Sequence, residues 1–539
     1  MAFATVQSCT LSGVYAVPIT VEVHTAGGLP SVSLVGLPQS TVRESKDRVR
    51  AAIQNTGFEF PAVRITVNLA PADLPKHGGR FDLPIALGIM LARGYIPADS
   101  LDGYCVIGEL GLNGEVRSVS GVLPSALSLA DSSLQLLCPD ENLSEAMRSE
   151  HTHIVGAPSL HDVVCGLRQG DANSPKGGVK RRVAPNAVRW MSASSTNGIE
   201  TSDRQSVASK IPTGSNGLAT APVDFSDVRG HVVAKRVLEI AAAGSHNILF
   251  TGPPGTGKSM LASALASVLP PMGKQEALEA ASVESINHGV FDADRFGERA
   301  FRSPHHSSSV TALIGGGRRA MPGEISLAHH GVLFLDELAE FPRRVLDAMR
   351  EPLETGVVHI SRLAHRAVYP ARFQLVGATN PCPCGYFGDI RQPCECTQSQ
   401  LQNYRSRLSG PLLDRIDLQC VVGREESSSL FHSVQSESSA VVKRRVVACR
   451  NLQYTRQACA NQYIGAAAVF SACVLDDEVA ELLKSASLRL NLSNRAVHRS
   501  LRVARTIADL AGSASVQSDH VTESLSYRLQ PSRVGGNIV

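Results

Sequence analysis

Eight consecutive residues, Gly252-Pro253-Pro254-Gly255-Thr256-Gly257-Lys258-Ser259, carry the clearest chemistry in the chain. They match GxxxxGK[ST] in full. Glycines at this spacing let the backbone curl around phosphate oxygens with several N–H groups pointing inward. A helix opening near Ser259 adds its positive N-terminal end. Lys258 would neutralise the β- and γ-phosphates of a bound triphosphate, and the Ser259 hydroxyl would ligate Mg²⁺. Two carboxylates, Asp336 and Glu337, close the apolar run Gly331-Val332-Leu333-Phe334-Leu335. On a strand buried beside the phosphate loop, Asp336 comes near Mg²⁺ and Glu337 can polarise an attacking water. A third apolar run, Phe373 to Thr379, ends at Asn380. Its amide either orients that water or simply opens the turn before Pro381.

Cys382-Pro383-Cys384 and Cys394-Glu395-Cys396 form two CxC pairs with nine residues between them. Four thiolates can close a tetrahedral Zn²⁺ shell, and Gly385 and Gly388 permit a tight knuckle. Four reduced thiols in a loop is the other reading. The remaining cysteines are scattered and read as small buried hydrophobes.

These residues need elements to position them. Residues 234–243 have helical composition, and His246 to Thr251 reads as a buried strand feeding the glycine-rich turn. Strand and helix patterns alternate to about residue 423, which predicts a parallel sheet with crossover helices. Residues 424–539 are mainly helical, and the clearest helix follows Ser493, with Val497, Leu501, Ala504, Ala508 and Ala511 on one stripe. Ahead of this unit, residues 1–165 read as a mixed α/β domain. Ile19, Val21 and Val23, and again Ile65, Val67 and Leu69, alternate with polar residues as half-buried strands do. Thr41 and Glu44 have capping-box spacing for a helix that Gly57 stops. Residues 166–223 lose apolar periodicity and read as a flexible, mildly basic linker around Lys180, Arg181 and Arg182.

The whole chain has 539 residues, enough for three or four folding units. A net charge of +3 advertises neither nucleic acid nor a membrane surface, so any polyanion contact must come from local clusters. Aromatic residues make up 5% with a single Trp, which disfavours a base-stacking platform. No run approaches the roughly 18 apolar residues of a membrane span, and the N-terminus lacks the basic start of a secretion signal. A cytoplasmic protein without membrane partners is the expectation.

GPPGTGKS, LFLDE and ATN in this order, followed by a helical lid, resemble an AAA+ ATPase. More narrowly, the chain is similar to magnesium-chelatase-like ATPases of the competence-associated ComM/YifB type. FRSPHHSSS, GEISLAHHGVLFLDELAEF, ATNPCPCGYFGD, SGPLLDRIDL and NRAVHRSLRVARTIADLAG carry the likeness, as do SLVGLP and RITVNLAPADLPKHGGRFDLPIALGI at the front. The resemblance implies ATP and Mg²⁺ as cofactors, a hexameric ring, and DNA as a sequence-independent partner. Its activity would be branch migration or translocation during integration of incoming DNA. Arg415 would be the finger reaching a neighbour's ATP. Arg495 would be the sensor touching the γ-phosphate in its own subunit. The family also implies an insert before the acidic strand and a hairpin ahead of Asn380. Arg318 and Arg319 in the insert, and Arg362 and Arg366 near the hairpin tip, would grip DNA phosphates.

The front 165 residues resemble a Lon-protease-like (ribosomal protein S5-type) fold. Asp82 stands where that fold carries its serine and Leu123 where it carries its lysine, so no peptidase activity is expected. Lys76 and His77 are expected on an exposed loop. The architecture is thus α/β: the Lon-like domain at 1–165, the linker at 166–223, the AAA+ core with hairpin and cysteine knuckle at 224–423, and the lid at 424–539. Two rival functions remain: a magnesium-chelatase-type motor for metal insertion, from which the front domain is expected to set this chain apart, and an ATP-driven protein-remodelling module.

Overall fold

The computed structural model describes residues 2–37, 42, 44–74, 76–150, 153–168, 190–192, 223–288, 292–317, 319–362, 365–389, 391–425 and 437–528. Two sheets organise it. The first has eight strands, and its centre is a long antiparallel pair, Ala2–Ser12 against Tyr15–Ala26. Ile19, Val21 and Val23 turn inward with Ile65, Val67 and Leu69 of the strand Arg64–Ala70, as the alternation requires. The helix Asp82–Ala92, apolar almost all round, packs across them and is buried over most of its length.

Several front-domain details differ from the sequence reading. The expected capped helix runs Ser45–Asn55 with Glu44 as N-cap and no side-chain cap, while Thr41 lies outside the described residues. Lys76 is fully buried, its ammonium donating to the Pro71 carbonyl, not displayed on an open loop. Within the stretch read as linker, Trp190–Ser192 adds an antiparallel edge strand beside His153–Ala157, because the edge of a sheet offers unpaired backbone groups to any extended segment nearby. Lys180, Arg181 and Arg182 lie outside the described residues.

The second sheet has five strands, all parallel. Across it run Phe301–Arg302, Val332–Leu335, Gln374–Thr379, Ile248–Thr251 and Leu418–Val421. The strand met first in this unit, Ile248–Thr251, therefore lies between the last two. Parallel α/β sheets place ligands beyond the carboxyl ends of strands at such a reversal. Helices Val232–Gly244 and Lys258–Val268 cover one face with Ser439–Gln457 and Asn494–Leu510, around a core that includes Phe250, Leu261, Val376 and Val446. Ser493 caps the last of these by accepting from Ala496 N, and Leu501, Ala504 and Ala508 are buried as the stripe predicted.

The two units are joined by more than chain. Gly121 N donates to Ser285 O, and buried Glu145 accepts from Leu123 N at 2.9 Å and from the Ser285 hydroxyl. At Gly13, an added Cβ would stand 2.5 Å from Val368 O of the hairpin. Among the described residues no helix is long and apolar enough to cross a membrane.

Candidate nucleotide site and its surroundings

Three neighbouring strands of the parallel sheet end together, in register Thr251↔Thr379 and Leu335↔Gly377. That register brings the phosphate loop, the Asp336-Glu337 pair and Asn380 to one edge. Gly255 and Gly257 take φ of 76° and 79°, the left-handed backbone a curled loop needs. Gly252 has no room for a side chain, since a Cβ would meet Val422 O at 2.1 Å. The helix Lys258–Val268 then starts with its N–H groups facing the loop.

Lys258 Nζ donates to Gly252 O at 2.7 Å, Pro253 O at 2.8 Å and Asn380 Oδ1 at 3.2 Å. Burial lowers its pKa against the opposing pull of Asp336 and Glu337. Ser259 Oγ donates to Asp336 Oδ2 at 2.8 Å. A hydroxyl paired with a carboxylate at this distance is a fitting pair of ligands for a hard divalent cation. Glu337 has φ 51° and pairs with His306 Nδ1 at 3.2 Å. His306 was assigned no role from sequence: it is thirty-odd residues away, and only the pairing of Phe301–Arg302 with Val332–Leu335 brings it near.

The arginines lie elsewhere. Arg415 stands at the opposite edge of the sheet, before the strand Leu418–Val421. Its carbonyl accepts from Asn247 Nδ2 and Arg499 Nη1, and Arg499 also binds Asp417 at 2.8 Å. A four-residue strand spans roughly 13 Å, which separates this edge from the phosphate loop. Glu354 pairs with Arg415 through one oxygen and with Arg495 Nη2 through the other, at 2.9 Å. The sequence expectation set Arg495 on its own chain's γ-phosphate. The structure instead brings it to Arg415, because the N-terminal turn of its helix lies over the amino ends of the strands.

The four CxC sulfurs converge: Cys382–Cys384 is 3.2 Å, Cys384–Cys394 3.5 Å and Cys382–Cys394 3.7 Å, and all four lie within 4.8 Å of one another. These separations exceed a disulfide bond of about 2.05 Å. They are close to the roughly 3.7 Å edge of a tetrahedron with Zn–S of about 2.3 Å. The Tyr386 backbone N–H, helped by Cys382 and the Glu395 N–H, pulls the Cys384 thiol down to about 6, while burial pushes the Cys382 thiol up. Gly385 rests on the phosphate loop, where a Cβ would be 2.7 Å from Pro254 Cδ.

A second cluster, Glu279, His329 and His330, also meets the spacing for a metal. His329 Nδ1, however, accepts from Arg372 N at 3.0 Å. Its Nε2 must then carry the proton, which it gives to Glu279 at 3.3 Å, so His329 offers no lone pair to a cation.

Three family models match this chain. "Magnesium chelatase, subunit ChlI" covers residues 224–430, "Subunit ChlI of Mg-chelatase" covers 21–142, and "Magnesium chelatase, subunit ChlI C-terminal" covers 436–528. Over 529 residues the chain is 44% identical to YifB of Salmonella typhimurium, covering 98% of this chain and 97% of that one. It is equally 44% identical to competence protein ComM of Haemophilus influenzae, covering 98% of each. The chain belongs to the magnesium-chelatase-like ComM/YifB family of AAA+ ATPases. Likeness to the magnesium-chelatase 38 kDa subunit of Rhodobacter capsulatus is 30% over 193 residues, 32% of this chain and 54% of that one.

A model described as a subunit of magnesium chelatase also matches the front domain, residues 21–142, whereas the magnesium-chelatase 38 kDa chain aligns with only 32% of this one. What separates them is extent: the ComM and YifB relatives align almost end to end.

The ComM/YifB hairpin is present as Val357–Arg362 paired with His365–Pro370. Arg366 and Arg319 are exposed and line a cavity of about 740 Å³ between hairpin and front sheet, shared with Arg48, Arg80 and His77. Arg318 lies outside the described residues, as does the Arg362 side chain. On the front-sheet side, Arg48 Nε binds Asp82 Oδ2 at 2.7 Å, and Leu123 is fully buried. Asp82 is thus held in an ion pair within the core, with burial and Arg48 pulling its pKa in opposite directions and burial prevailing.

Proposed function

We propose that this chain is an ATP- and Mg²⁺-dependent motor that acts on DNA as a cytoplasmic hexameric ring, a branch-migration helicase or translocase. The observation that carries the reading is the division of charged groups between two edges of one parallel sheet. Lys258, Ser259, Asp336, Glu337 and Asn380 meet at one edge, and Arg415 and Arg495 at the other. A site so divided is completed when the arginine edge of one protomer meets the phosphate loop of the next. Lys258 and the loop N–H groups of Gly252 to Gly257 hold the triphosphate, Ser259 and Asp336 hold Mg²⁺, Glu337 activates water and Asn380 orients it. Arg415 and Arg495 both act on the neighbour's nucleotide, where their charge offsets that developing on the transferred phosphoryl group.

The DNA part rests on near end-to-end similarity to a protein named for competence and on exposed Arg319 and Arg366. Arg318 and Arg362 extend that basic set in sequence. In this reading residues 1–165 are a Lon-like domain without its dyad, 166–223 a linker, 224–423 the ATPase core and 424–539 its lid. Cys382, Cys384, Cys394 and Cys396 hold a structural Zn²⁺, which supplies a crosslink across the loop and takes no part in hydrolysis.

A second reading, a metal-insertion motor, is favoured by the descriptions of the three matching family models. The two are told apart by ATP hydrolysis with and without DNA, followed by strand displacement on a synthetic three-strand junction. Stimulation by DNA and displacement that needs hydrolysable ATP support the first. Hydrolysis indifferent to DNA refutes it.

A further inference from the structure

We infer that Glu354 is a positioning residue that holds Arg415 and Arg495 as one fork for the neighbouring protomer's triphosphate; this rests on the ATPase reading above. Two guanidinium groups side by side repel, and in water each would sample many rotamers. Here a single carboxylate lies between them, giving one oxygen to each. Arg415 is further fixed by donating Nη1–H to Pro411 O at 2.7 Å, yet its buried Nε has no partner. Its guanidinium is therefore held at one end only, and Glu354 decides where the other end points. Arg495 is half exposed, and Glu354 is its one charged anchor among the described contacts. The arrangement suits a trigger. A carboxylate carries a single negative charge, whereas the incoming phosphates carry several, so arrival of the neighbour's nucleotide draws both arginines off Glu354 together.

The position of Glu354 in the chain supports the same role. It sits at the end of the helix Arg350–Thr355, which Gly356 stops with φ 71°. That helix is anchored independently, by Arg350 donating to Ser409 Oγ at 2.9 Å. The carboxylate is thus presented from a fixed support, which preorganisation requires.

The test uses the full-length chain. E354Q removes the charge and keeps the shape at a half-exposed site; the loss of Arg415's carboxylate should lower the melting temperature by a few degrees at most and leave the chain folded at the assay temperature. Its kcat for ATP should fall about tenfold, while KM stays within twofold because the neighbour's Lys258 and loop N–H groups still hold the ground-state triphosphate. E354D keeps the charge but is one methylene too short to bridge both groups, and should fall between. The deciding measurement mixes E354Q with K258A in equal amounts. A random mixture places an intact Lys258 opposite an intact arginine fork at about a quarter of interfaces, so activity should rise to about a quarter of wild type. Activity at only half that of E354Q alone would mean Glu354 serves its own chain's site, and a wild-type kcat in E354Q would mean it positions nothing. Either overturns the inference while leaving the ATPase reading intact. Absence of hydrolysis by the wild type overturns the ATPase reading itself.

Discussion

Lys258 and Asn380, 122 residues apart in the chain, meet at 3.2 Å across the ends of adjacent strands. With Gly252 O and Pro253 O, Asn380 completes a ring of oxygens around the ammonium. The lysine is folded into its own loop, poised to exchange these neutral acceptors for phosphate oxygens, which bind a cation more strongly. Lys258→Ala should therefore weaken ATP binding by at least about 100-fold, at some two charge-assisted bonds lost. Equilibrium binding of a fluorescent ATP analogue checks this, and an unchanged affinity would remove Lys258 from the site.

Glu337 stands one residue beyond Asp336, turned aside by its left-handed backbone toward His306. Glu337→Gln keeps the shape and removes the base. ATP should still bind, while turnover falls by about 10²- to 10⁴-fold. Single-turnover hydrolysis separates the two effects; a normal rate would assign the base elsewhere.

The cysteine knuckle lies against the phosphate loop through Gly385 and Pro254. Purified chain should carry one zinc ion, measured by mass spectrometry, and Cys384→Ser should lose it. Stripping the metal should also weaken nucleotide binding several-fold, since the surface on which Pro254 rests is no longer fixed. Metal-free chain with full nucleotide affinity would confine the knuckle to a local role.

His329 gives a pH dependence of known sign. Burial lowers its pKa to about 4 although Glu279 pulls the other way, and Glu279 itself is held well below the usual carboxylate range by the His329 hydrogen bond, so it stays ionised across this window. The folded chain keeps His329 neutral where the unfolded chain, with an ordinary value near 6.5, takes up a proton. Stability is complete above about pH 6.5 and declines as pH falls toward 4, by about 2 kcal/mol between pH 7 and pH 5. His329→Gln should lack that decline in urea unfolding; equal slopes in both proteins would refute the assignment.

Much of the site was legible because phosphate chemistry constrains sequence locally. A loop that must wrap an anion needs glycines and a lysine at fixed spacing, and an apolar run ending in carboxylates declares both a buried strand and its polar tip. The strand alternations at Ile19 to Val23 and Ile65 to Leu69 were readable for the same reason: burial on one face leaves a period of two. Glu354 and His306 were not legible. Each acts across a tertiary contact, and nothing in the residues around them says which partner the fold will supply. Lys76 misled because a lysine in a loop is ordinarily solvated, whereas here the Pro71 carbonyl and the nearby Asp73 charge compensate its burial. Arg495 misled because a helix start marks where a guanidinium begins, not which sheet edge it overlooks.

The missing side chain at Gly13 has a mechanical consequence. Its backbone touches Val368 so closely that no atom could be inserted between them. The opening turn of the front sheet therefore lies directly against the flank of the arginine-bearing hairpin, and any side chain larger than hydrogen at this position would wedge the eight-stranded sheet and the hairpin apart.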